Sequence, residues 1–193
     1  MENILDRDLI LPSYCSIKGS NRYEDIYAKL ARQSLEHYFK KGVYLRIPLV
    51  HEKMLKEREG VLVLIKKHGE VRGCKGTVHP ATDCIAREII KNVVEAGRGN
   101  NKFSKVRKEE LAELEYSIYI IHDVKTAKKE ELNPKRYGIF VKAGSKSSCL
   151  LPNVYGVETA ERQLERALKK AGISEDEEYT IEKFEVIKRG YRG

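Results

Sequence analysis

The sequence predicts an α+β fold built of mainly antiparallel sheets with packed helices. Three observations carry this. Apolar residues recur at helical spacing in three separated stretches, β-branched runs lie between them, and two of those runs flank a loop short enough to be a hairpin. The resulting order is helix, two strands, helix, short helix, strand, two strands, helix, strand. A regular βαβ alternation would look different.

Residues 1–22 hold Pro12 and Gly19 without sustained periodicity and read as an irregular lead-in. From Tyr23 to Lys41, Ile26, Tyr27, Leu30, Leu35, Tyr38 and Phe39 follow the 3.6 period, and Gly42 supplies a helix terminator. Tyr44 to Glu59 reads as a connection broken by Pro48. Val61 to Ile65 is β-branched enough for a strand. Lys67-His68-Gly69-Glu70 places Gly where a two-residue hairpin loop needs positive φ, so Val71 to Val78 pairs back as a second strand. Thr82 or Asp83 then caps a helix ending at Gly97, with Ile85, Ile89 and Val93 in one row and Ala86, Ile90 and Val94 in the next.

A basic stretch from Arg98 to Lys108 leads to a short helix, Glu109 to Leu114, and a strand, Tyr116 to Val124. Tyr137 to Val141 and Cys149 to Leu151 read as strands joined by a flexible turn over 143–148, and Pro152 ends the second. A helix from Thr159 to Ala171 stops at Gly172, and an acidic loop, Glu175 to Glu178, follows. Tyr179 to Lys188 changes its alternation between Ile181 and Phe184, which predicts a strand with a bulge, and residues 189–193 read as a frayed tail. Residues 23–188 are expected to form a single domain.

The 193 residues carry 37 Lys and Arg against 29 Asp and Glu, a net charge of +8. That balance suits an anionic partner or a heavily charged surface and does not choose between them. The longest apolar run, Val61 to Ile65, is far below the ~20 residues of a membrane-spanning helix, and the N-terminus is acidic where a signal peptide is basic. A cytoplasmic protein with free thiols is expected. Cys15, Cys74, Cys84 and Cys149 form no C-x-x-C, and His37, His51, His68, His79 and His122 form no metal pair, so no metal site is predicted. Neither G-x-G-x-x-G nor a Walker motif occurs, and no cofactor is called for.

Chemistry concentrates in Val71-Arg72-Gly73-Cys74-Lys75-Gly76-Thr77-Val78-His79. Strict alternation puts Arg72 and Cys74 on one face, where a guanidinium about 7 Å away favours a thiolate. Two glycines inside a strand imply close approach of a ligand or another backbone. Cys74 is therefore either a reactive thiol or a small core residue whose flanking glycines let the following helix pack tightly. Cys84 and Cys149 sit in apolar patterns and read as core, and Cys15 as incidental. Gly73 to Gly76 also fits the G-x-x-G of an RNA clamp, but inside a strand instead of between helices. Arg98 to Lys108 has five cations in eleven residues with Phe103 among them, suited to a phosphate backbone or to a solvated loop anchored by that ring. His79 and His122 read either as groups titrating near neutrality or as ordinary polar neighbours in their strands, and nothing nearby in sequence identifies a partner carboxylate for either.

Arg72-Gly73-Cys74-Lys75-Gly76-Thr77 resembles the R-G-C-I-G-T signature of the AMME chromosomal region (AMMECR) domain family. Ala31 to Tyr38, Lys67-His68-Gly69, Leu114 to Ser117, Leu132 to Gly138, Leu150-Leu151-Pro152 and Gly156 to Gln163 are similar to its prokaryotic branch, in the same order. The resemblance implies two intimately joined subdomains and a cleft lined by the Arg-Gly-Cys segment. It also implies company: a Memo-like protein and a radical S-adenosylmethionine enzyme, with this chain as the third component of that system. Lys75 replaces the signature's usual apolar residue, and Asn100-Asn101-Lys102-Phe103 stands where the family tends to have Asp-Pro-Arg-Phe.

Three functions follow from these expectations. Cys74, with Arg72 favouring its thiolate, is a candidate nucleophile of a modifying component. Alternatively the chain is an adaptor for the two partners. As a third reading it binds or modifies RNA through the 98–108 loop and Lys66, Lys67, Arg72 and Lys75. Candidate binding residues are Gly73, Lys75, Gly76, Thr77, His79, Lys102, Lys105 and Arg107.

Overall fold

Asp25, and not Tyr23, opens the first helix. In the computed structural model, which describes residues 23–100 and 102–192, the Asp25 carboxylate accepts from the Tyr27 N–H at 2.8 Å and starts α1 (Ile26–Lys41). Gly42, at φ 75°, ends the helix as expected. Tyr23–Glu24 is instead a short strand, β1, paired antiparallel with Tyr191 and Arg192. The final strand, β7 (Thr180–Arg192), therefore continues through the stretch expected to fray. The lead-in over 1–22, with Cys15, lies outside the described residues.

The class is α+β, with antiparallel strand pairing. The chain divides into two compact units; their described parts are 23–120 with 187–192, and 121–186. In the first, β2 (Gly60–Lys67) and β3 (Glu70–Thr77) form the expected hairpin, and β2 pairs on its other side with β4 (Leu114–Thr126). His68 at φ 53° and Gly69 at φ 84° give the turn its two left-handed positions. The connection after α1 contains a helix that periodicity did not reveal, α2 (Glu52–Lys56), whose first turn is capped by His51 accepting from the Lys53 N–H at 3.2 Å. At five residues it is too short to show a period.

The long helix α3 (Ile85–Arg98) buries both expected rows, Ile85, Ile89 and Val93 beside Ala86, Ile90 and Val94. Its boundaries differ from expectation. Cys84, and not Thr82 or Asp83, occupies the N-cap, without a side-chain bond, and the helix runs through Gly97 to end at Gly99. Gly97 is instead a packing residue: a Cβ there would lie 2.5 Å from Leu35 Cδ1, so its absence lets α3 approach α1. Together α1 and α3 enclose a core with Val61, Val63 and Ile65 of β2 and Tyr116 and Ile118 of β4. A 3-10 helix, Lys108–Glu113, precedes β4.

In the second unit, β5 (Gly138–Ala143) and β6 (Lys146–Leu150) form a hairpin with α4 (Ala160–Ala171) packed on it. The expected flexible turn shrinks to Gly144-Ser145, because Ala143 and Lys146 already pair. β5 also pairs with β7 from Gly138 opposite Phe184 to Lys142 opposite Thr180 without a shift, so no bulge separates Ile181 from Phe184 along this edge. Gly138 leaves room for the Phe184 ring, and Ile139, Val141, Leu164, Leu168 and Phe184 are buried. Cys149 is fully buried among them, and burial pushes its thiol up to about 12. Among the described residues no helix is long and apolar enough to cross a membrane.

Candidate functional site

A one-residue irregularity organises the Arg-Gly-Cys strand. Ile65 pairs with Gly73 and Lys66 with Val71, so Arg72 is the extra residue of a β-bulge and the simple alternation breaks there. Gly73, opposite the core residue Ile65, lies on the helix-packed face: a Cβ on it would sit 2.6 Å from the Ala96 carbonyl oxygen of α3. Cys74, the next residue and opposite Leu64, belongs to the other face. The expected same-face pairing of Arg72 with Cys74 is therefore not present. Both glycines are accounted for by close approach within the protein, since a Cβ on Gly76 would lie 2.7 Å from the Leu62 Cα.

Arg72 has a different set of partners. Its Nε donates to Glu110 Oε1 at 3.1 Å and its Nη2 to Glu110 Oε2 at 2.9 Å, a bidentate pair. Nη1 donates to the Ser104 carbonyl at 2.6 Å and Nη2 to that of Lys105 at 2.8 Å. Glu110 also accepts from the Arg107 N–H at 2.8 Å, and Lys67 stands 3.5 Å away. The Arg72 guanidinium, the Arg107 N–H and Lys67 hold the Glu110 carboxyl down to about 2 against the opposing effect of burial. Glu110 was not singled out from sequence. The signal is its place three residues after the N-cap Arg107, where an acid reaches back to the cap's N–H.

This clamp fixes the basic loop. Gly99, at φ 79°, makes a turn so tight that a Cβ would lie 2.6 Å from the Phe103 carbonyl. Asn100 Oδ1 accepts from the N–H groups of Lys102 at 2.8 Å and Phe103 at 3.0 Å, and this amide builds the turn. Several of the cations have internal company. Arg98 pairs with Glu95 at 3.2 Å, Arg107 with Glu110 at 3.8 Å, and Lys105 Nζ lies 6.0 Å from the Phe39 ring centroid. Phe103 is half-buried, while Lys102, Lys105 and Arg107 are exposed.

Thr77 closes the motif on the helix side. Its hydroxyl donates to Glu88 Oε2 at 2.7 Å, the Thr82 N–H donates to Oε1 at 2.6 Å, and Asn92 Nδ2 reaches Oε2 at 3.2 Å and the Val61 carbonyl at 2.8 Å. Glu88 is 0% exposed, a carboxylate held by hydrogen bonds alone among the described residues. Sequence patterning missed Glu88 and Asn92, because two polar residues four apart on a helix look like a solvated face.

The opposite face carries Cys74 and Tyr119. Both are buried, and the Tyr119 hydroxyl has no hydrogen-bond partner among the described residues. Burial, and then the neighbouring Cys74, push its phenol up to about 12. Lys188 Nζ lies 5.9 Å from the Tyr119 ring centroid. Lys66 is half-buried, and its ammonium is lowered by burial and by Lys188 against the pull of Glu115. Of the other expected residues, Lys75 is half-buried opposite Val63, and His79 is exposed beyond the end of β3. Cys84 is buried in the first unit's core. Among the described residues no cluster of three or more His, Cys, Asp and Glu is placed to hold a metal ion.

A second feature was not expected. A groove of about 510 Å³ opens between α3 and the segment after α1, lined by Tyr44, Leu45, Arg46, Ile47, Thr82, Arg87, Ile90 and Lys91. The Tyr44 hydroxyl fixes one wall by donating to Glu95 at 2.7 Å. The segment that supplies the Tyr44 wall and the helix after it also expose large apolar side chains, at Val43, Tyr44, Leu49 and Leu55, with Leu49 fully solvated at 104%.

Comparison with known proteins places these features in a family. The family model described as AMMECR1 matches residues 28–189. A protein of Clostridium acetobutylicum is 47% identical over 173 residues; the match covers 89% of this chain and only 37% of that protein. A Thermotoga maritima protein is 35% identical over 167 residues, covering 84% of this chain and 96% of its own length. The crystal structure of an uncharacterised protein from Pyrococcus horikoshii shares the fold, with a TM-score of 0.76 at 24% identity, over 85% of this chain and 89% of that one.

Proposed function

The chain belongs to the AMMECR1 family, and on that premise we propose that it is a binding component, an adaptor acting with a Memo-like protein and a radical S-adenosylmethionine enzyme. One observation carries this choice over a covalent role: residues 43–55 expose Val43, Tyr44, Leu49 and Leu55, and the same segment supplies Tyr44 to Ile47 to the lining of a formed groove. Large exposed apolar side chains grouped in one segment mark a surface suited to being covered by another protein.

Co-expression with the two partners from the same genome, followed by size-exclusion chromatography with mass detection, tests the proposal. Cys74→Ser leaves the complex intact, and Leu49→Asp with Val43→Asp abolishes it while the variant still melts cooperatively. Absence of any complex with the native chain, or a complex lost only in Cys74→Ser, overturns it.

A second reading, in which Cys74 is the reactive group of a modifying component, draws on the unpartnered Tyr119 hydroxyl and the lowered ammonium of Lys66 on the same side of the sheet. Arg72 does not serve it, because its donors are taken by Glu110 and the loop. Iodoacetamide labelling of the native protein decides: one thiol alkylated with an apparent pKa below about 8.5 supports the reactive thiol, and an inert Cys74 removes it. RNA binding through the 98–108 loop, the remaining alternative, shows as retention that falls steeply with salt.

A further inference from the structure

From the charges of the groove beside α3 we propose that it is a docking site for an acidic peptide segment of a partner protein, carrying an apolar anchor residue; this rests on the adaptor reading. The floor is apolar, with Ile90 4% exposed and Leu45 and Ile47 half-buried against the first unit's core. The rim is cationic: Arg46, Arg87 and Lys91 are the charged side chains of its lining, and no carboxylate is among the lining residues. Arg87 is paired with Asp83 at 3.0 Å, both exposed, whereas Arg46 and Lys91 form no ion pair among the described residues. Glu95, on the same helix, is held by Tyr44 and Arg98 and so does not neutralise the rim.

The walls are preformed, which lowers the ordering cost of binding. Tyr44 is tied to Glu95, and Thr82, at the far end, is held by its N–H to the buried Glu88. A small anion would satisfy the rim but leave Leu49 and Val43, outside the groove, in water. A peptide segment reaches both, placing carboxylates at Arg46 and Lys91 and an apolar side chain over Ile90. Complementary charge sets partner choice and encounter rate, and the apolar anchor supplies most of the affinity.

The test uses the full chain and a short fluorescent peptide that alternates Glu with Leu, read by polarisation at low salt. Binding is expected, with about a tenfold loss in the double variant Arg46→Glu, Lys91→Glu, and no binding of the peptide in which Lys replaces Glu. Equal binding by the double variant, or by a peptide of Glu alone, overturns the site. The same double variant is then co-expressed with the partners. A complex that forms normally shows that docking lies elsewhere, so the groove fails and the adaptor reading stands. No complex with the native chain removes the adaptor reading, while the peptide data still judge the groove.

Discussion

The two faces of β3 are built on opposite terms. On the helix side the motif is tied in: Arg72 to Glu110 and two carbonyls, Thr77 to Glu88, with Gly73 fitted under the Ala96 carbonyl. On the other side Tyr119 keeps a buried hydroxyl without a partner among the described residues, beside Cys74, and Lys66 and Lys188 stand near each other. Satisfied networks hold a structure in one arrangement, whereas an unsatisfied buried group is retained at a cost that stability alone does not explain. The motif thus divides into a scaffold half, centred on Arg72, and a half centred on the buried Cys74 and Tyr119.

The largest expected effect breaks the scaffold half. Glu88→Ala leaves Thr82 N–H and the Thr77 and Asn92 side chains without their acceptor in a dry site, and should lower unfolding free energy by about 4 kcal/mol in urea titration. A loss under 1 kcal/mol would show that water replaces the carboxylate without penalty. Arg72→Met comes next, at about 2–3 kcal/mol. This is less than a fully dry ion pair would lose, because the side chains of Arg72 and Glu110 are 18% and 7% exposed.

The same pair gives a pH signature with a definite sign. Glu110 is lowered to about 2 from an ordinary 4.5. Its contribution is fully present above about pH 4.5 and is lost as pH falls through about 2. Arg72→Met should flatten the acid limb of the stability curve over that window, and an unchanged limb would contradict the assignment. Gly73→Ala, which presses a Cβ toward the Ala96 carbonyl, should cost about 2 kcal/mol by thermal melting. Tyr119→Phe sharpens the contrast from the other face. Removing a buried hydroxyl that has no partner should raise stability slightly, by about 0.5–1 kcal/mol, and a clear loss would mean that the hydroxyl is bonded in solution.

Much of this molecule was legible before its structure. Helices α1, α3 and α4 announce themselves by rows of apolar residues and by Gly42 and Gly172, and the β2–β3 hairpin by His68-Gly69. What was not legible shares one cause. The bulge at Arg72, the burial of Glu88, the pairing of Tyr191 with β1 and the unbroken register at Ile181 all depend on a partner far away in the chain. Glu110 is an intermediate case, since its local capping pattern was present but its bidentate bond to Arg72 spans 38 positions.

The sequence by itself determined the α+β class, the order of most elements and the family, because periodicity, turn residues and an ordered set of motifs are local properties of a chain. Only the tertiary structure decided which side of the sheet Cys74 occupies, what Arg72 binds, and that a cationic groove lies between α3 and the segment after α1. A single extra residue in a strand turns its neighbours over, and no local pattern records which partner carboxylate or carbonyl will be waiting on either side.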